Sequence, residues 1–287
     1  MFKQRMATAL ILAFGFVWVT TFSSSFFFAL FISLIVLVAS WEWGEFIGLK
    51  HGHQKIGYLS VVAFIIMSLF MLLEITPKTQ SISSVSVSII LALGFLFWLI
   101  TLPLLKYYPR NANKWSNKFK IAVMGILTLL PAWVGMVQLK YLLVEGYFVL
   151  GLVAMVAAVD SGAYFIGKQF GHEKLAPHLS PNKTWEGALG GFVLCLLVNL
   201  LLVWILHNFL LTLNGWQIMQ LVLLSFGVTF FDVIGDLFIS MLKRNRAIKH
   251  SGFLLPGHGG VLDRIDGLIA VIPGFVLTIL FMVRGIE

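Results

Sequence analysis

Residues 188–211 read ALGGFVLCLLVNLLLVWILHNFLL, a stretch with no Lys, Arg, Asp or Glu. A helix crosses the hydrocarbon core of a bilayer with about 20 mostly apolar residues, each rising 1.5 Å. This stretch therefore reads as a membrane span. Working outward, eight further stretches read the same way: residues 6–21, 25–41, 57–75, 82–105, 120–139, 141–160, 216–241 and 266–283. The expected fold class is an all-α polytopic membrane protein of about nine transmembrane helices. Only the serines from Ser23 to Ser25 separate the first two spans, which are expected to form a tight helical hairpin. Lys3 and Arg5 before an apolar run imitate a signal peptide, but no small-x-small cleavage site follows. The first span is therefore expected to be retained.

The composition agrees. The 287 residues are 59% hydrophobic and 11% charged, with mean hydropathy +0.96. Soluble domains run about 45–50% apolar and about 25% charged, so a soluble domain, a disordered chain and a coiled coil are all excluded. Cys195 is the sole cysteine, which rules out an intrachain disulfide or a cysteine metal site. The formal charge is nevertheless +8. With nine spans, all of the 20 basic residues except Lys78, Lys140 and Arg284 fall on the side of the N-terminus. Lys and Arg mark the cytoplasmic side. The N-terminus is thus expected inside and the C-terminus outside. Residues 1–140 read as N-terminal transmembrane helices and 141–287 as a C-terminal transmembrane region that holds the polar motifs taken up below. The longest polar stretches, Lys106 to Lys120 and Gly167 to Gly187, both fall on the cytoplasmic side.

Carboxylates within spanning helices are costly and mark function by default. Asp232 and Asp236 stand at i and i+4, Asp263 and Asp266 at i and i+3, so each pair shares a helix face. Their spans are antiparallel neighbours joined by a cytoplasmic loop, and both pairs reach the same end. Clustered carboxylates need cations, and oxygen ligands suit Mg²⁺. Ion pairing with Arg244, Arg246 and Arg264 is the bland alternative. The sequence between the pairs contains Lys243, Arg244, Lys249 and the run Pro256-Gly-His258-Gly259-Gly260. Glycine lacks Cβ and lets backbone N–H groups approach a phosphate. Metal ligands beside such a segment describe a site for a metal-bound polyphosphate. Two further segments lie upstream. Gly162 to Lys168 nearly spells a phosphate loop, but Gln169 stands where Ser or Thr is required, and the intervening residues are aromatic. Ser180 to Glu186 reads as a capped helix start whose free N–H groups suit an anion, with Lys183 and Thr184 beside them.

Ser240 to Asp266 resembles the C-terminal signature of the bacterial phosphatidate cytidylyltransferases, or CDP-diacylglycerol synthases. That signature runs S-x-x-K-R, four residues, K-D, then P-x-H-G-G-x-x-D-R-x-D. The Asp160–Lys168 and Ser180–Gly187 segments, the Gly235-Asp236-Leu237 step and Trp41-Glu42-Trp43 add to the resemblance. It implies a membrane enzyme that joins CTP and phosphatidate into CDP-diacylglycerol and pyrophosphate, with Mg²⁺ and an accompanying K⁺. It implies Asp236 and Asp263 as metal ligands, with Asp266 as ligand or neighbour. Lys243, Arg244, Lys249 and Arg264 are then expected to serve catalysis by neutralising charge on pyrophosphate, and His258 by bonding a phosphate oxygen. Lys168, Ser180, Lys183, Thr184, Gly259 and Gly260 are expected to bind substrate. The expected partners are CTP, phosphatidate and membrane lipids, with a homodimer as one option for assembly and no nucleic acid. Two positions depart: His250 replaces the Asp after Lys249, and Ile239 stands where Glu is usual. A diverged, weakly active paralogue and a CTP-dependent polyprenol or lipid kinase are the competing enzymes. A cation-coupled transporter using Asp160, Asp232 and Asp236 is the competing class.

Overall fold

A computed structural model describes residues 2–143, 145–210, 212–252, 254 and 259–284, with side chains for those from 10 to 282. Long helices dominate: α1 Phe2–Phe22, α2 Ser25–Ile47, α3 Gly52–Leu72 and α4 Ser84–Lys106, then a short α5 Ala112–Trp115 and the long α6 Lys118–Leu142 and α7 Tyr147–Phe170. An antiparallel hairpin of β1 Lys174–Ala176 and β2 Ser180–Thr184 follows. The chain ends with α8 Trp185–Ile205, a π-helical turn Leu206–Leu210, α9 Gly215–Asn245 and α10 Leu262–Arg284. Among the described residues, eight helices are long and apolar enough to cross a membrane, and α1 adds a shorter apolar stretch, Leu10–Phe22. The protein is an all-α polytopic membrane protein, as its hydropathy predicts. The expected break between the first two spans is present: the Ser24 side chain caps α2 by accepting the Phe27 N–H.

The helices are apolar around most of their circumference, as expected of helices packed in a bundle or facing lipid. α6 is the central one, buried at every position from Thr128 to Tyr141, with α2, α4 and α10 packed around it. Two helix pairs approach backbone to backbone. On α7, a Cβ at Gly162 would lie 2.5 Å from the Gly190 carbonyl oxygen of α8. On α9, a Cβ at Gly235 would lie 2.2 Å from the Asp266 carbonyl oxygen of α10. Both contacts need glycine, and both lie next to acidic residues.

Several spans run further than hydropathy predicts, α2 to Ile47 instead of 41 among them, and two of these extensions shape the site. The sixth was expected at 141–160, but α7 starts at Tyr147 and continues to Phe170. Its last three turns are polar along one edge and persist because Gly162 and its neighbours pack on α8. Consequently Asp160 lies within the helix, and the Gly162–Lys168 segment is helical, not a phosphate loop. α9 continues to Asn245 because Lys243 and Arg244 in its last turn suit the negative end of the helix dipole.

Candidate active site

The site is built where α7, α9 and α10 meet the β hairpin. The hairpin comes from the segment expected to open a helix. Thr184 does cap α8, its Oγ1 accepting the Gly187 N–H at 3.1 Å. Ser180 to Thr184, however, pair as a strand with β1. The Trp185 N–H donates to the Glu173 carbonyl at 3.0 Å, and the Glu173 N–H to Glu186 Oε1 at 3.1 Å, closing the hairpin onto the helix start. Leu179 is buried at the tip, and its carbonyl accepts Arg244 Nε at 3.3 Å. Arg244 therefore secures the hairpin to α9.

This anchoring lets Lys183 reach across to α9, where its ammonium pairs with Asp236 Oδ2. Burial works against the charged lysine, but the Asp236 carboxylate first, and then Asp232 and Asp266, outweigh it and hold the Lys183 pKa above its ordinary value. Asp236 also meets Asp266, a contact that follows from the glycine approach at Gly235. Asp160 and Asp232 complete one acidic group around Lys183. Asp232 is 2% exposed, and its Oδ1 has no hydrogen-bond partner among the described residues. A cavity of about 290 Å³ opens over this group, lined among others by Asp160, Tyr164, Ser180, Asn182, Lys183, Thr184, Asp232 and Asp236.

Asp263 lies on the other side of Lys243. Its Oδ1 accepts Lys243 Nζ at 2.8 Å, while Oδ2 accepts the Ser251 N–H at 3.0 Å and the Gly260 N–H at 3.3 Å. Lys243 is also within electrostatic reach of Asp266, so it links the two acidic groups. His250 Nδ1 lies 3.6 Å from Asp263 Oδ2. The position that departs from the signature is thus a direct neighbour of a signature carboxylate. Gly259 adopts the left-handed conformation at φ +86°, and Gly260 directs its amide at Asp263. Arg264 is exposed and within electrostatic reach of Asp160. Lys168 is exposed, with its ammonium 5.6 Å from the centre of the Tyr164 ring at the cavity edge. Lys249 is exposed as well. His258 lies outside the described residues.

The donors around the cavity are carboxylate oxygens, the chemistry a hard divalent cation prefers. Among the described residues, no group of three or more His, Cys, Asp or Glu side chains is arranged to hold a metal by itself. Mg²⁺ commonly needs only one or two carboxylates, with substrate phosphates and water completing its shell. The unpartnered Asp232 oxygen and the acidic excess around Lys183 both favour added positive charge. The residues present therefore fit a hard cation whose shell is completed by water or phosphate oxygens.

Sequence reasoning missed one buried residue. Glu42, near the end of α2, is 2% exposed and accepts the Ser251 hydroxyl and the Val261 and Leu262 amides. Its signal was a lone carboxylate in Trp41-Glu42-Trp43 directly after an apolar run.

The profile of the Cytidylyltransferase family matches residues 3–282. The chain belongs to this family. It is 37% identical over 278 residues to a phosphatidate cytidylyltransferase of Pseudomonas aeruginosa, covering 96% of each chain. It is 34% identical over 285 residues to the protein of that name from Haemophilus influenzae, covering 96% of this chain and 97% of the other. Family membership extends the resemblance seen in Ser240–Asp266 to the helices of the N-terminal half, including α2 with Glu42.

Proposed function

We propose that this protein is a phosphatidate cytidylyltransferase, converting CTP and phosphatidate into CDP-diacylglycerol and pyrophosphate. The observation that carries the activity is its relation, along nearly its whole length, to two proteins of that name. The geometry supports it. The acidic cavity shares Leu175, Ala188 and Val233 with an apolar groove of about 590 Å³ between α4, α8 and α9. A phosphate headgroup in the cavity with acyl chains in that groove matches a lipid substrate, and CTP reaches the same cavity from the surface. The concentration of basic residues on one side supports a cytoplasmic surface, and the bacterial relatives support the inner membrane.

In the reaction, a phosphatidate phosphate oxygen attacks the α-phosphorus of CTP, and the bond from that phosphorus to the β-phosphate bridge breaks. Pyrophosphate leaves with that electron pair. The nucleophile is already anionic, so positioning and charge stabilisation carry the catalysis. Asp236, Asp266 and Asp263 would hold Mg²⁺, with K⁺ as an accompanying ion, and bound metal supplies charge neutralisation at the reacting phosphates. Lys183 bridges the hairpin and Asp236 and is placed to move onto substrate phosphate. Lys243 holds Asp263 in register. Arg264 and Lys168 add positive charge around the cavity, Lys249 adds charge on the α9–α10 connection, and Arg244 holds the hairpin over the cavity. Ser180 and Thr184 present hydroxyls from the same strand.

Purified protein in detergent should release pyrophosphate only when CTP, phosphatidate and Mg²⁺ are all present, and a CMP-bearing lipid should form. Formation of a phosphorylated lipid and CDP would overturn the reading in favour of a kinase.

A further inference from the structure

The cytoplasmic end of α2 meets the α9–α10 connection in two places. Glu42 Oε1 accepts the Val261 N–H at 2.9 Å, while Oε2 accepts the Leu262 N–H at 2.9 Å and the Ser251 hydroxyl at 3.1 Å. In return, Arg246 donates from Nε to the Phe46 carbonyl and from Nη2 to the Ile47 carbonyl, both at 2.6 Å. A helix leaves its first N–H and last C=O groups without partners inside the helix. Here α2 gives a carboxylate to the start of α10 and receives a guanidinium at its own last turn. Each charge sits where the helix dipole favours it.

The atoms that Glu42 grips also hold Asp263. Ser251 bonds to Glu42 through its hydroxyl and to Asp263 through its amide. Gly260 donates its amide to Asp263, and a Cβ added there would lie 2.5 Å from Glu42 Oε2. The loop is pressed onto the Glu42 carboxylate on one side and folded around the Asp263 carboxylate on the other.

We propose that Glu42 is a positioning residue for the cytidylyl transfer, fixing through Ser251 and Gly260 the place of Asp263 relative to Lys243. This rests on the reading of the cavity as the reaction site. Glu42 touches no substrate; it holds the loop that holds the carboxylate.

The test compares the full-length protein in detergent with its Glu42→Gln and Ser251→Ala variants. Gln keeps the shape, but its NH₂ end confronts an N–H donor, so the three bonds cannot all survive. In Glu42→Gln, kcat for pyrophosphate release should fall roughly 10- to 100-fold, the scale of a misplaced catalytic group, with KM for phosphatidate unchanged. Limited trypsin digestion gives a second readout. Cutting after Lys249 should accelerate, while cutting after Arg110, in the α4–α5 connection, should keep its rate. Ser251→Ala removes one donor of three and should show both effects at a few-fold. An unchanged kcat in Glu42→Gln overturns the inference, as does equal acceleration at both sites with kcat intact. If Glu42→Gln does not fold, Ser251→Ala decides: slower turnover with faster cutting at Lys249 supports the inference, and values matching the unmodified chain overturn it. An unmodified chain that releases no pyrophosphate defeats the reading of the site; an active one with an unaffected Glu42→Gln variant defeats this inference alone.

Discussion

Lys243 Nζ donates to Asp263 Oδ1 at 2.8 Å, joining the last turn of α9 to the first turn of α10 through side chains that are 13% and 8% exposed. Removing one partner of so enclosed a pair leaves the other charge uncompensated, at a cost of about 3 kcal/mol or more. Asp263→Asn should reduce pyrophosphate release at least about 100-fold. Lys243→Met should reduce it similarly and also lower the thermal midpoint in detergent. Wild-type turnover in the Asn variant would remove Asp263 from the site.

The Lys183–Asp236 pair predicts a labelling pattern. The folded pKa of Lys183 is raised, so the stabilisation from this pair is complete below the unfolded-state value of about 10.4 and is lost only as pH climbs through the higher folded value. At pH 9 an amine-acylating reagent should modify exposed Lys168 and Lys249 and spare Lys183. Asp236→Asn should raise the labelling of Lys183, while Asp232, Asp266 and its partial burial still hold it below the exposed pair. Peptide mass spectrometry measures this, and equal labelling of all three lysines in the unmodified protein would contradict the pairing.

His250 faces Asp263 from 3.6 Å with a side chain 47% exposed. An aspartate there adds a hard oxygen donor beside a carboxylate expected to serve the metal. His250→Asp should raise turnover and lower the Mg²⁺ concentration giving half-maximal rate. A titration unchanged in both respects would show that the departure from the signature has no catalytic effect.

Gly162 tests the packing that carries Asp160. Its missing Cβ would sit 2.5 Å from a backbone carbonyl of α8, an atom that cannot rotate aside. Gly162→Ala should destabilise the protein by about 1–3 kcal/mol, as overpacked sites do, and lower activity by spreading the cavity wall. Gly15, within α1 and with nothing within 4 Å of its added Cβ, is the control: Gly15→Ala should not lower the thermal midpoint, since alanine suits a helix better than glycine.

Much of this architecture is legible in the sequence because a bilayer demands long uncharged runs, and those runs are conspicuous from Ser25 to Met282. The acidic pairs were legible for the converse reason: Asp232, Asp236 and Asp266 interrupt apolar helices. The hairpin was hidden, because Ser180-Pro-Asn-Lys-Thr has the composition of a helix cap and its pairing with Lys174–Ala176 spans only two short strands. The division of labour among the basic residues was hidden too. Nothing in Lys243-Arg244-Asn-Arg246 distinguishes the residue that holds Asp263 from the one that anchors Leu179 and the one that caps α2. Those roles depend on the helical turn each side chain occupies and on partners far away in the chain.

The reach of Glu42 sets an order of events during synthesis. Its amide partners at Val261 and Leu262 lie 219 and 220 residues downstream. At about 5–20 residues per second, they emerge roughly 10–45 s after Glu42 has been made. Throughout that interval a carboxylate destined for burial waits at the membrane boundary for the start of the last helix. Docking of α10 is therefore the step that gives Glu42 its amide partners, and a nascent chain short of it holds that carboxylate without them.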